Sequence, residues 1–355
     1  MKKTNGRFAS ALTRTLAAAL ILNLLTGCSM SGSQGASATQ DASGAAKTDS
    51  ASADSAKDGV SISFSNDGIT AADSPGLSID GTSLTITASG TYLLSGSCED
   101  GSVKVQKGTT GVVLVLDGLT LSSKATAPII CAKSTEVTIE AAAGTVNTLS
   151  DTEANNDAST NSAAENAVIK CKDGSQVVLC GTGELILRAN GKNGIKSGAS
   201  TETEGDASLT IRELTLTIDA PVNDAVNAES ILNVESGTLE ISAGDDALHS
   251  DGELNIGANG TDGPSISITS CYEGLEGTVV NIFSDDIDLQ STDDCINAAN
   301  SDQPNGDFQI NITGGKITAS ASGGDGFDSN PFPAAALPCG QRTPQTMSPW
   351  MQTAR

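Results

Sequence analysis

The chain's 355 residues carry 43 acidic side chains against 19 basic ones, a formal net charge of -24, a single histidine and only 3% aromatic residues. A chain this acidic, with no basic stripe, repels phosphate backbones, which excludes nucleic acid as a partner. One imidazole, His249, cannot supply a multi-histidine metal site or both a base and a ligand, so carboxylate chemistry and hard cations such as calcium remain.

The first elements in chain order are targeting signals. Lys2, Lys3, Arg7 and Arg14 precede an apolar run from Leu16 to Leu25 that is short for a membrane span. The run ends in Leu25-Thr26-Gly27-Cys28, which resembles the bacterial lipoprotein lipobox. Residues 1–27 are therefore expected to be removed as a signal peptide, with Cys28 as the lipidated residue holding the chain on the extracellular face of the membrane. Residues 28–58, rich in Ser, Ala, Gly and Asp, bury too little to offset the entropy of ordering and read as a flexible tether.

From residue 59 to 330 the pattern is all-β. Alternating apolar pairs recur between turns, among them Leu84/Ile86, Val113/Val115, Val177/Leu179, Leu209/Ile211, Leu216/Ile218, Leu232/Val234, Leu239/Ile241, Leu254/Ile256, Ile287/Leu289 and Ile310/Ile312. A second motif, a polar or acidic residue, a small one and an aliphatic anchor, fixes the organisation. Its anchors are Ile195, Val226, Leu248, Leu275, Ile296 and Phe327, separated by 31, 22, 27, 21 and 31 residues, and Asn166-Ala167-Val168 fits the frame upstream. Three short strands per period predict one turn of a parallel β-helix, a solenoid. A β-sandwich also uses short strands but has no reason to repeat one signature in register.

Stacking such rungs at about 4.8 Å turns the signature into columns. The residue two before each anchor gives Asn166, Asn193, Asp224, Asp246, Glu273, Asp294 and Asp325; the residue one after gives Lys196, Asn227, His249, Glu276, Asn297 and Asp328. Like charges at that separation repel by about 1 kcal/mol per pair even in water. The run of acids that starts at Asp224 therefore asks for a counter-ion, and carboxylates on adjacent rungs can share one calcium. The competing reading is a solvated acidic edge that keeps the fold soluble.

At these residues the chain resembles a known family. Ala243-Gly-Asp-Asp-Ala-Leu-His-Ser-Asp251, Glu273-Gly-Leu-Glu-Gly277, Ser291-Thr-Asp-Asp-Cys-Ile-Asn297 and Gly323-Gly-Asp-Gly-Phe-Asp-Ser-Asn330 are similar to segments of bacterial secreted carbohydrate-binding domain-containing proteins. Gly90–Gly96, Val113–Gly118 and Gly144–Asp151 look like that family's N-terminal rungs, and the likeness covers roughly residues 80 to 330. It implies a right-handed parallel β-helix that binds calcium and plant cell-wall polysaccharides, including cellulose and pectin. By that likeness calcium ligands fall among Asp245, Asp246, Glu273, Glu276, Asp293, Asp294, Asn297, Asp325 and Asp328, with Asp224 joining them from its column. Asn193 and Lys196 depart from the acidic pattern at their rung.

Residues 331–355 hold five of the 10 prolines, the only Trp and no acidic residue, a break in composition that reads as a frameshifted or Pro-rich tail leaving the last rung with an open edge. Cys98, Cys131, Cys171, Cys180, Cys271 and Cys295 lie in the body. Cys131 with Cys171 is the pair to test for a bridge; buried single thiols are the alternative.

The expected function is binding without catalysis by a monomer, calcium joining protein carboxylates to an acidic or cellulosic polysaccharide. Two alternatives stay open. One is a pectate-type polysaccharide lyase using Lys196, Arg188 or Arg212 as base. The other is a calcium-stiffened adhesin or surface scaffold.

Overall fold

A computed structural model of the chain describes residues 59–201, 207–257, 262–300, 303, 306–329 and the backbone of 345–347. The predicted signal peptide, Cys28 and the tether lie outside the described residues, as does most of 331–355. Every described residue belongs to one compact unit, Ser55–Arg355.

The protein is all-β. Among the described residues, 28 strands join in one large, mostly parallel sheet, and the one helical turn is 3-10, Glu153–Asn155. Apart from antiparallel pairs at the two ends, strands pair in parallel with the strand one period later, so three ladders run through the body. The first ladder joins Ile129–Cys131, Ala167–Cys171, Asn193–Ser197 and Val226–Ala228, then the starts of Leu248–Ile256 and Leu275–Ile282, and ends on Ile296–Ala298 and Phe327–Asp328. The second passes through Gln176–Cys180, Ser208–Ile211 and Ile231–Val234 to Gln309–Ile312. The third runs from Val146–Ser150 through Glu184–Arg188, Leu214–Ala220, Gly237–Ala243, Ser265–Ser270 and Asp286–Ser291 to Lys316–Ala321.

Alternation drives this arrangement. One face of each strand carries aliphatics that stack on the same position of the next rung, as in Leu185, Leu216, Leu239, Ile266, Ile287 and Ile317, all buried. Burying one such side chain is worth about 1.5–3 kcal/mol, and the stack repeats it at every rung. Tight corners keep the period short. Gly181, at φ 108°, takes a backbone region closed to side chains, and a Cβ there would meet the Ala141 carbonyl at 2.2 Å.

Three expectations need correction, and the cysteines follow one of their two readings. In the upstream frame the register pairs Ile169, not Val168, with Ile195, and Ala167, not Asn166, with Asn193. Asn166 adopts a left-handed φ of 54° and drops out of the column. In Val112–Ser122 the fully covered face carries Val112, Leu114 and Leu116 rather than Val113, because the run is apolar on both faces and alternation cannot choose between them. Cys131 and Cys171 do sit in register, but both are free, buried thiols. The edge of the last rung is not wholly open, since Gln345–Met347 pairs antiparallel with Ile317–Ala319.

Candidate functional site

The first ladder sets the columns. Its anchors, Ile195, Val226, Leu248, Leu275, Ile296 and Phe327, are in register, as are Lys196, Asn227, His249, Glu276, Asn297 and Asp328 beside them. Lys170 extends the second column upstream. The acidic residues two before the anchors are linked by backbone bonds. Gly194 N donates to Asp224 O, Ala225 N to Asp246 O, Ala247 N to Glu273 O, Gly274 N to Asp294 O and Cys295 N to Asp325 O, all at 2.9–3.1 Å. Small residues between acid and anchor permit this approach. A Cβ on Gly274 would come within 2.4 Å of the Cys295 carbonyl oxygen.

Carboxylates crowd in the middle of this face. Asp224, Asp245 and Asp246 present oxygens that all lie within 4.8 Å of one another, and Asp246, His249 and Glu276 form a second such set. Asp224 accepts from Asn227 Nδ2 at 2.5 Å and from Asp246 N at 3.2 Å. His249 stands among three acids: Nδ1 is 3.2 Å from Asp246 Oδ2 and 2.6 Å from Glu276 Oε2, and Nε2 is 3.1 Å from Asp251 Oδ1. Burial works against charge on the ring, and the three carboxylates outweigh it, pushing the imidazole up to about 12. Burial, and then the neighbouring Asp246 charge, raise Asp224 and Asp245. Glu273 is pushed up to about 8, first by burial and then by Glu276, Asp246 and Asp294, despite a 2.9 Å bond from Asn297 Nδ2. Negative charge is packed here faster than the chain supplies partners for it.

The remaining predicted ligands spread along the face. Asp294 Oδ1 accepts from Asp325 N at 2.5 Å, Asp293 accepts the Tyr272 hydroxyl, and Asp328 closes the second column. Tyr272 is 48% exposed, so one aromatic ring stands in solvent beside the acids, while Tyr92 is buried. Arg188 and Arg212 are exposed and lie on the third and second ladders' side of the repeat. Lys196 Nζ is tied to Asn227 Oδ1 and Glu229 Oε1, each at 2.9 Å.

Sequence reasoning missed three features. Lys170, lowered by burial and by Lys196, was hidden by the shifted frame at Asn166. The pairing of His249 with Asp251 was readable, because residues two apart on a strand share a face. On the second ladder Asn233, Asn255, Asn281 and Asn311 form an amide column, each Nδ2 donating to the previous Oδ1 at 2.8–3.0 Å. Its signal was four asparagines each placed between two aliphatics.

Comparison with known proteins bears on the family and the fold. Residues 80–254 match the family model of carbohydrate-binding domain-containing proteins. That stretch includes Asp224, Asp245, Asp246 and His249 and stops short of Glu273. A carbohydrate-binding domain-containing protein of Acetivibrio thermocellus is 34% identical over 131 residues, 37% of this chain and 45% of the relative, so the chain spans less than half of that protein's length. Among solved structures, the polysaccharide lyase-like protein from C. thermocellum, a gadolinium derivative, has a similar fold. Its TM-score is 0.53 at 24% identity, over 77% of this chain and 95% of that one.

Proposed function

We propose that the body is a right-handed parallel β-helix, three strands to a turn, that binds acidic or cellulosic polysaccharide through calcium on its carboxylate columns, without catalysis. The lipobox makes Cys28 the anchor that displays it on the extracellular face of the membrane. The observation that carries this reading is the crowding of Asp224, Asp245 and Asp246, whose oxygens lie within 4.8 Å of one another. Calcium bonds to oxygen run about 2.3–2.6 Å, so donors at this spacing can share one ion. The donor set is all oxygen, and burial, together with the neighbouring Asp246 charge, raises the Asp224 and Asp245 carboxyls, a strain on the charged forms that such an ion would relieve. When bound, calcium supplies positive charge able to bridge these acids to a sugar carboxylate. Tyr272, exposed beside Asp293, offers one face for a pyranose ring. The match to carbohydrate-binding domain-containing proteins points the same way.

A lyase is the second reading, favoured by Lys170, whose ammonium is held below its ordinary range by burial and by Lys196. A lysine so placed suits proton removal better than Lys196, whose Nζ is tied to Glu229.

Retention of the full chain on insoluble pectin and cellulose, with calcium or with chelator, tests the proposal when unsaturated-product absorbance is read in the same tubes. Calcium-dependent retention without absorbance is expected. Rising absorbance would move the function to a lyase and make Lys170 the residue to replace. No retention in either condition would leave a surface scaffold.

A further inference from the structure

The all-oxygen set and the set around His249 share Asp246 but differ in chemistry. We propose that Asp246, His249 and Glu276 form a separate site for a nitrogen-preferring divalent transition ion of the zinc class. Calcium takes six to eight hard oxygen ligands, and an imidazole nitrogen at the centre of the set fits it poorly. Zinc-class ions accept one imidazole with carboxylates, at about 2.0–2.2 Å, which places neighbouring donors about 3.3 Å apart in a tetrahedral shell. The Nδ1 separation of 3.2 Å to Asp246 matches that spacing, and the 2.6 Å separation to Glu276 is a hydrogen-bond contact that lengthens when an ion takes the proton's place.

The ring is also held in the orientation such a site needs. Asp251 Oδ1 accepts from Nε2–H at 3.1 Å, leaving Nδ1 as the nitrogen that faces the two acids. A carboxylate behind a ligating histidine fixes its tautomer and raises its basicity. The ladder supplies rigidity: His249 and Glu276 are in register on adjacent rungs, and Asp246 lies on the strand approach three residues earlier. The side chains of Asp246, His249 and Glu276 are 12%, 18% and 15% exposed, so the set is largely shielded from solvent. The entering ion replaces the Nδ1 proton, which leaves to solvent.

This proposal stands apart from polysaccharide binding, and the protein's single histidine makes it testable directly. The full chain, carrying no histidine tag and labelled with 15N-histidine, is titrated with zinc in about hundredfold excess of calcium, where softer-ligand selectivity should still favour zinc. The Nδ1 resonance is expected to move and to saturate at one equivalent, with Nε2 little changed. Asp251→Asn should weaken zinc binding about 10–100-fold while leaving Nδ1 as the responding nitrogen. An unmoved Nδ1, a response at Nε2 instead, or displacement of zinc by equal calcium would overturn the proposal, and all three are read on the unmutated chain.

Discussion

Upstream, the column beside the anchors carries Lys170 and Lys196, whereas downstream it carries His249, Glu276, Asn297 and Asp328 on the same parallel backbone. The upstream charges find partners within the chain. Lys196 meets Glu229, and the neighbouring Lys172 meets Glu165 at 2.6 Å. Downstream, among the described ion pairs, His249 is the cation in contact with the column's acids, and Lys316 meets Asp286 on the third ladder at 3.1 Å. A stacked column of like charge thus tells little by itself. On the proposed reading, what would call for an external cation is an excess of acids over internal cations, and among the described residues that excess lies downstream, around Asp224, Asp245 and Asp246.

Four perturbations probe this contrast. The hydrophobic stack is common to both ends, so Ile195→Ala and Leu275→Ala should each cost about 2–5 kcal/mol in denaturant melts. A large cost at one end only would mean that the cores, not the columns, differ. Spacing between acid and anchor comes next. Gly274→Ala should cost about 1–3 kcal/mol, because its Cβ would meet Leu289 and Cys295, while Gly326→Ala should be near neutral, since nothing lies within 4 Å.

Charge effects are smaller and change sign. Glu273→Gln should stabilise the chelated protein at pH 8 by about 1 kcal/mol, as it removes a repelled carboxylate, and should lower the melting temperature in calcium, as it removes a donor. Stabilisation in both conditions would remove Glu273 from the cation site. The pH dependence follows from the same groups. Glu273 rises from 4.5 to about 8 and His249 from 6.5 to about 12, so across both windows the folded state holds more protons than the unfolded one. Stability of the chelated protein should therefore fall as pH climbs from about 4.5 to about 8, where Glu273 loses its proton. It should keep falling above 6.5 as the folded imidazole's advantage is lost. Calcium should flatten the first decline, measured as melting temperature against pH.

The repeat was legible because each rung spells the same short signature, so spacing alone placed Asp224 through Asp328 in columns. It failed where local chemistry overrode the pattern: at Asn166, where a left-handed backbone shifts the frame, and at Val112–Ser122, where both faces are apolar. The contacts of His249 were half visible. Asp251 shares its face by alternation, but Glu276 lies 27 residues away and meets it only once the rungs are stacked. Lys170 and the burial that lowers it belong to three-dimensional packing and left no mark in composition.

Region-resolved hydrogen exchange of the full chain, with calcium or with chelator at pH 8, tests most directly whether one end of the ladder depends on a cation. Slower exchange in calcium, confined to peptides within residues 224–328 and absent from 129–197, is the predicted result. Unchanged exchange, or protection spread evenly over both ends, would contradict it.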